Sequence, residues 1–263
     1  MKLGNQAEFL RRYFFALLRI PFLFSFGVAQ RSHRQLIAAI CRHFGYFTRM
    51  QGVPTIKLKE LLPDFQYGEI HDPIGTYGSP AAEEILIINQ LVKRAQPKVL
   101  FEIGTFTGRT TLNLAACSPE DARVLTLDLK PEDLRQTKFP MYASEELYVN
   151  KPESGTSYTS SPLASKITQL YGDSAVFDFS PWRGQVDFIF IDGAHTYEYV
   201  HSDTRRALEL LRNGCGTIIW HDYLMVEGLT RALNELAAQE PRLKGMRHIE
   251  GTTMTIWQSG TCG

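Results

Sequence analysis

From Lys98 onward, apolar residues come in short runs, each closed by a polar residue. "KVLFEIG" (98–104), "ARVLTLDL" (122–129), "KITQLYGD" (166–173), "VDFIFID" (186–192) and "GTIIWHD" (216–222) are too short for helices and read as strands buried on both faces. Helical periodicity takes over between them. "RTTLNLAAC" (109–117) has helical character, residues 196–212 carry Val200, Ala207 and Leu211 at helical spacing, and "GLTRALNELAAQ" (228–239) is a further helix. The tail, 247–259, reads as two short strands joined at Glu250-Gly251. The alternation predicts an α/β domain over 75–263: a Rossmann-like, seven-stranded, mostly parallel sheet flanked by helices and closed by a C-terminal antiparallel hairpin. Residues 131–165 are too long for a plain crossover and are expected to form an ordered insertion over the active face. Together with Ile74–Ser79 they should build most of an acceptor pocket.

Residues 1–74 precede this pattern as an N-terminal helical extension. "EFLRRYFFALLRIPFLFSFGVAQRSHR" is dense in Phe and Leu, but its longest charge-free run, Ile20 to Gln30, is far short of the roughly 20 residues of a membrane span. Arg19 splits the apolar centre that a signal peptide would need. An amphipathic cap on the domain or on a second subunit is expected, which would make a homodimer through this region. A helix lying on a membrane surface is the alternative.

Composition narrows the partners. Lys plus Arg and Asp plus Glu both number 28, so the net charge is zero, and no basic footprint for nucleic acid stands out. Four cysteines (Cys41, Cys117, Cys215, Cys262) show no metal-ligand spacing and read as buried free thiols of a cytoplasmic protein.

The chemistry sits at the strand ends. Glu102, Asp128, Asp173, Asp192 and Asp222 each close one of the five parallel strands, all on one rim. In an open parallel sheet that rim is where ligands bind. A single such acid is a common helix cap, but capping alone does not explain five. The first loop runs Glu102-Ile-Gly104-Thr105-Phe-Thr107-Gly108, an E-x-G-x-x-x-G spacing that lacks the close glycine pair of a dinucleotide fingerprint. Glu102 would repel a pyrophosphate and suits a ligand with an amino group. Asp128 suits two ribose hydroxyls. This arrangement is the one expected for S-adenosylmethionine.

With "VLFEIGTFTGRTTLNLA", "LTLDL", "YGDSA", "FIFIDGAHTYEYVHSD" and "GTIIWHDY" in that order, the chain resembles the class I S-adenosylmethionine-dependent methyltransferases, most of all the small-molecule O-methyltransferases related to catechol O-methyltransferase. The resemblance covers roughly 75–258. It implies that Glu102, Gly104, Thr105 and Gly108 line the cofactor and that Thr110 holds its methionine carboxylate. Asp128 would take the ribose hydroxyls, and Ser174, with Asp173 beside it, would face the adenine. Asp192 would lie under the methyl donor and, with His221 and Asp222, hold a divalent cation, magnesium or manganese. His221 departs from the family, which has an acid there. His195 stands where catechol O-methyltransferase has its lysine base.

Methyl transfer needs an oxygen nucleophile held in line about 3 Å from the sulfonium carbon, and a group to take its proton. Asp192 and His195 are the candidates, with Gly193 expected to permit the tight turn that aims both into the cleft. The implied function is methyl transfer from S-adenosylmethionine to a hydroxyl of a small molecule of phenol, sugar or polyketide type. The rivals are a cofactor-binding protein without catalysis, against which Asp192 and His195 speak, and a dinucleotide oxidoreductase, against which the loop spacing speaks.

Overall fold

A computed structural model describes residues 3–26, 29–30, 33–34, 36–37, 40–41, 44, 48–66 and 68–259. Two compact units meet between Met50 and Gln51. In the first, helix α1 spans Leu3–Phe26 with Pro21 inside it. Among the described residues no helix is long and apolar enough to cross a membrane.

The second unit is built on an eight-stranded sheet of order β1-β7-β8-β6-β5-β2-β3-β4. The strands are β1 (Thr55–Ile56), β2 (Val99–Ile103), β3 (Arg123–Asp128), β4 (Ile167–Tyr171), β5 (Phe188–Ile191), β6 (Thr217–Trp220), β7 (Arg247–Ile249) and β8 (Thr255–Gln258). Seven of these correspond to the runs identified in the sequence. The eighth, β1, is two residues long and pairs in parallel with β7, so residues 51–74 contribute to the same unit as the sheet. β2 through β6 run parallel, and β8 runs antiparallel to both β6 and β7. The chain winds from β2 outward to β3 and β4, then returns to place β5 on the other side of β2. The order therefore reverses between β2 and β5, and the crevice at their carboxyl ends is the ligand position of such sheets.

Side-chain alternation explains why the central strands are apolar throughout. Val99, Phe101 and Ile103 enter one core with Ile189, Ile191 and Trp220, while Leu100 enters the other with Phe188, Phe190 and Ile219. Four longer helices cover the faces: α2 (Ala82–Ala95), α3 (Arg109–Cys117), α4 (Tyr197–Leu210) and α5 (Glu227–Gln239). α2 begins with Glu83 and Glu84 and ends with Lys93 and Arg94, matching the helix dipole. Residues 131–165 contain 3-10 turns at Pro131–Gln136 and Pro162–Lys166 and a one-turn helix at Glu146–Val149. One cysteine departs from expectation, because Cys215 is disulfide-bonded rather than a buried free thiol. Cys41 and Cys117 are free.

Candidate active site

A cleft opens at the carboxyl ends of β2 to β6. Gly104, Thr105, Phe106, Thr107 and Thr110 form its wall after β2. Gly104 has φ +100°, and a Cβ there would lie 2.1 Å from the Asp192 carbonyl oxygen, so only glycine lets the two strand-end loops pass this closely. Gly108 caps α3 but does not line the cleft. Glu102 does not line it either. The pleat turns its side chain beneath the loop, where it is wholly buried and its Oε2 accepts hydrogen bonds from the Thr111 and Thr126 hydroxyls. Burial pushes its pKa up to about 8 against those two hydrogen bonds, with Asp192 and Asp128 adding to the rise. Glu102 thus supports the loop from below, while its Oε1 is buried without a hydrogen-bond partner among the described residues.

Asp128 does line the cleft, and it is already engaged. Its carboxylate accepts from the backbone N–H of Phe106 (3.1 Å) and Leu129 (3.0 Å) and from Ser154 Oγ (2.7 Å), and it pairs with Lys151 Nζ at 2.9 Å. The two backbone donors fix the carboxylate, while Ser154 and Lys151 hold the oxygen that a ribose hydroxyl would have to share. Asp173 is similarly tied, accepting from Lys138 N–H (2.6 Å), Tyr199 hydroxyl (2.9 Å) and Ala175 N–H (3.0 Å). Ser174 beside it lines the cleft.

The opposite end holds a cluster of ionisable groups. His221 Nδ1 lies 3.2 Å from Asp192 Oδ1 and 3.4 Å from Asp222 Oδ1, and its Nε2 lies 3.0 Å from Glu84 Oε2. His195 Nε2 lies 3.3 Å from Asp222 Oδ2 and 3.8 Å from Asp192 Oδ1, and its Nδ1 lies 2.7 Å from Glu145 Oε1. The same Glu145 oxygen accepts the His195 backbone N–H at 2.7 Å. Each imidazole is therefore held from behind by a buried glutamate and faces the two aspartates. Burial alone would lower both histidine pKa values, but the surrounding carboxylates outweigh it and raise His195 to about 10 and His221 well above its ordinary value. Burial alone would raise Asp192, but the two histidines bring it below the usual carboxylate range. Without a ligand, the two imidazolium charges offset only part of the negative charge of the four carboxylates around them. Asp222 has φ +62°, a left-handed backbone that a non-glycine residue occupies at a cost. Gly193 has no such backbone; it is small because a Cβ would lie 3.2 Å from Ile103 Cγ2. Close packing, and not a tight turn, accounts for glycine at this position.

Asp192, His221 and Asp222 offer ligand atoms that all lie within 4.8 Å of one another. They fit a divalent cation. Glu84 fixes the outer nitrogen of His221, the usual backing of a metal-binding imidazole. Close by, His195 Nε2 is buried and makes no well-directed hydrogen bond among the described residues.

Residues 101–223 match the family model described as a methyltransferase domain. The segment 101–223 is thus similar to a methyltransferase domain. Among curated relatives, caffeoyl-CoA O-methyltransferase 2 of Populus trichocarpa is 28% identical over 176 residues, covering 67% of this chain and 63% of that protein. Caffeoyl-CoA O-methyltransferase 2 of Petunia hybrida is 26% identical over 148 residues, covering 56% and 54%. The chain thus spans less than two thirds of the length of these relatives. Two solved structures share the fold: the S-adenosylhomocysteine-bound Podospora anserina methyltransferase PaMTH1 (TM-score 0.51, 15% identity, 69% of this chain and 81% of that one) and an O-methyltransferase-type protein from Klebsiella pneumoniae (0.50, 20%, 77% and 96%).

Several residues at the cleft escape a reading of strand ends. Glu84 lies on α2, while Glu145 and Lys151 lie in the irregular insertion. Arg109 ties the 72–80 segment over the cleft through the carbonyls of Asp72 (2.7 Å) and Pro80 (2.6 Å). No local motif marks any of them, because each acts through a contact across the fold.

Proposed function

We propose that the protein transfers the methyl group of S-adenosylmethionine to a hydroxyl of a small molecule. The observation that carries this reading is the shared cleft. The glycine loop, Asp128 and Ser174 line it on the cofactor side, and Asp192, His195 and Asp222 line it where a methyl acceptor would meet the donor. The negative charge gathered there favours a sulfonium. Gly78, Ser79, Met141 and Tyr148 form the wall on the acceptor side, an apolar surface suited to a ring-bearing alcohol or phenol.

A divalent cation on Asp192, His221 and Asp222 would supply Lewis acidity to the acceptor oxygen. The chain's own residues do the rest. With a cation held by these residues, His195, raised to about 10 by the surrounding carboxylates, would titrate nearer neutrality. Glu145 keeps the Nδ1 side of the ring occupied, so the neutral form presents Nε2 to accept the hydroxyl proton. Asp192 stays ionised throughout.

The test is a methyl-transfer screen of phenols and glycosides with labelled donor, read by mass spectrometry, alongside calorimetry with S-adenosylhomocysteine. Transfer to one acceptor class is expected, with loss of transfer and retained cofactor binding in His195→Ala. Cofactor binding with no transfer to any acceptor would favour a binding protein without catalysis. Preference for NAD over S-adenosylhomocysteine would overturn the reading altogether.

A further inference from the structure

The charge of the chain is zero overall but very uneven along its length. Residues 1–50 contain eight Lys or Arg and a single acid, Glu8, and from Phe9 to Lys59 there is no Asp or Glu at all. The remaining 213 residues therefore carry a seven-charge excess of acid. The basic stretch coincides with an unusual helix. Along α1, every residue from Phe9 to Phe26 except Leu23 is exposed. Phe14, Phe15, Leu18 and Phe26 are 57, 64, 77 and 63% exposed. A solvated helix of ordinary composition would not present this many large apolar side chains to water.

Apolar residues lie on most of the circumference, Phe15 and Phe26 beside the arginines included, and their densest alignment is on one side. Leu10, Phe14, Leu17, Pro21 and Phe24 recur at three- and four-residue intervals and form one continuous stripe. Arg12 and Arg19, seven residues apart, share the opposite face, with Arg11 at its edge. The Arg19 guanidinium lies 5.3 Å from the Phe15 ring centre, its stem running along the apolar flank. Apolar residues over most of the circumference, a narrow cationic strip and a single acid, Glu8, near the start of the helix form the pattern of a helix lying in the plane of a bilayer surface. The arginines exclude a transmembrane course, as the absence of any candidate span among the described residues agrees. They also select the lipid, because guanidinium groups at headgroup depth are drawn to anionic headgroups and not to zwitterionic ones.

We propose that α1 is a membrane-surface helix that seats on anionic phospholipid, its Leu10–Phe24 stripe in the acyl boundary and its arginines among the headgroups. The inference stands on unit 1 alone and does not depend on the methyl-transfer reading.

Flotation of the full-length protein with phosphatidylglycerol–phosphatidylcholine vesicles, against phosphatidylcholine vesicles alone, tests it. At least ten-fold stronger partition to the anionic vesicles is expected, weakening in high salt. The double variant Arg12→Glu/Arg19→Glu should lose the anionic preference. Phe14→Ser/Leu17→Ser should lose binding to both vesicle types. S-adenosylhomocysteine binding and far-ultraviolet circular dichroism, measured on each variant, report whether the sheet unit is still folded. Absence of flotation with either vesicle overturns the proposal, as does equal partition to both. A dimer by light scattering that disappears in Phe14→Ser/Leu17→Ser, with no vesicle binding, would assign the stripe to a second copy of the chain and overturn it as well.

Discussion

At Glu102, burial rather than ligand contact decides the chemistry. Its pKa of about 8, against an ordinary 4.5, means the native state holds the proton more tightly than the unfolded chain does. The stability it contributes is complete below about pH 4.5, declines as pH rises and is gone by about pH 8. Glu102→Gln should therefore flatten the fall in stability across that window in urea melts at stepped pH; an unchanged slope would show that the carboxyl is ionised in the fold. Glu145 is the second residue whose role comes from its surroundings. It binds the His195 ring and backbone with one oxygen. Glu145→Gln removes the charge that steadies the ring. It should lower kcat about ten-fold, a fraction of the roughly 10²–10⁴ that a positioned base supplies, with S-adenosylhomocysteine affinity unchanged. Equal loss of affinity would mean that the change disturbs the cleft as a whole.

Among the elements, β1 is the least self-sufficient. Two residues cannot hold a strand, and the preceding turn is anchored by a side chain more than 160 positions away. The Tyr223 hydroxyl accepts from the backbone N–H of Gly52 (3.1 Å) and Val53 (3.0 Å) and donates to Asn234 Oδ1 (2.6 Å). Val53 is buried, so Tyr223→Phe leaves its N–H without a partner. A loss of about 1–3 kcal/mol is expected by chemical denaturation, with faster amide exchange confined to residues around Val53. Exchange that rises evenly over the sheet would contradict the local anchor. The insertion at 131–165 shows the same dependence. It has little regular structure of its own, and Glu145, Lys151 and Ser154 attach it to the strand ends.

On the scale of the whole molecule, parallel strands and their loops bring Asp192, His221 and Asp222 together from two strand ends, and α2 and the insertion supply the glutamates behind the imidazoles. Magnesium prefers an all-oxygen shell, whereas manganese and iron accept imidazole. Chelation should therefore abolish methyl transfer, and manganese should restore it at least as well as magnesium. Asp222→Ala should be nearly inactive while still binding S-adenosylhomocysteine. Full activity in excess chelator would remove the metal from the reaction and leave His195 to act without it.

The periodic parts of this architecture were legible in the chain itself. Five apolar runs ending in acids, with helical stretches between them, specify parallel strands because such strands are buried on both faces and need no alternation. The same runs placed Asp128, Ser174, Asp192, His195 and Asp222 on one rim, because a parallel sheet puts all its strand ends on one side. Tertiary structure alone decided what each acid does there. It turned Glu102 under the loop and left Asp192 facing two imidazoles. It also joined Asp128 to Lys151 and set Glu84 and Glu145 behind the histidines. Local sequence carries no signal for these pairings, since an ionisable group takes its charge state from neighbours that the fold brings in from distant positions.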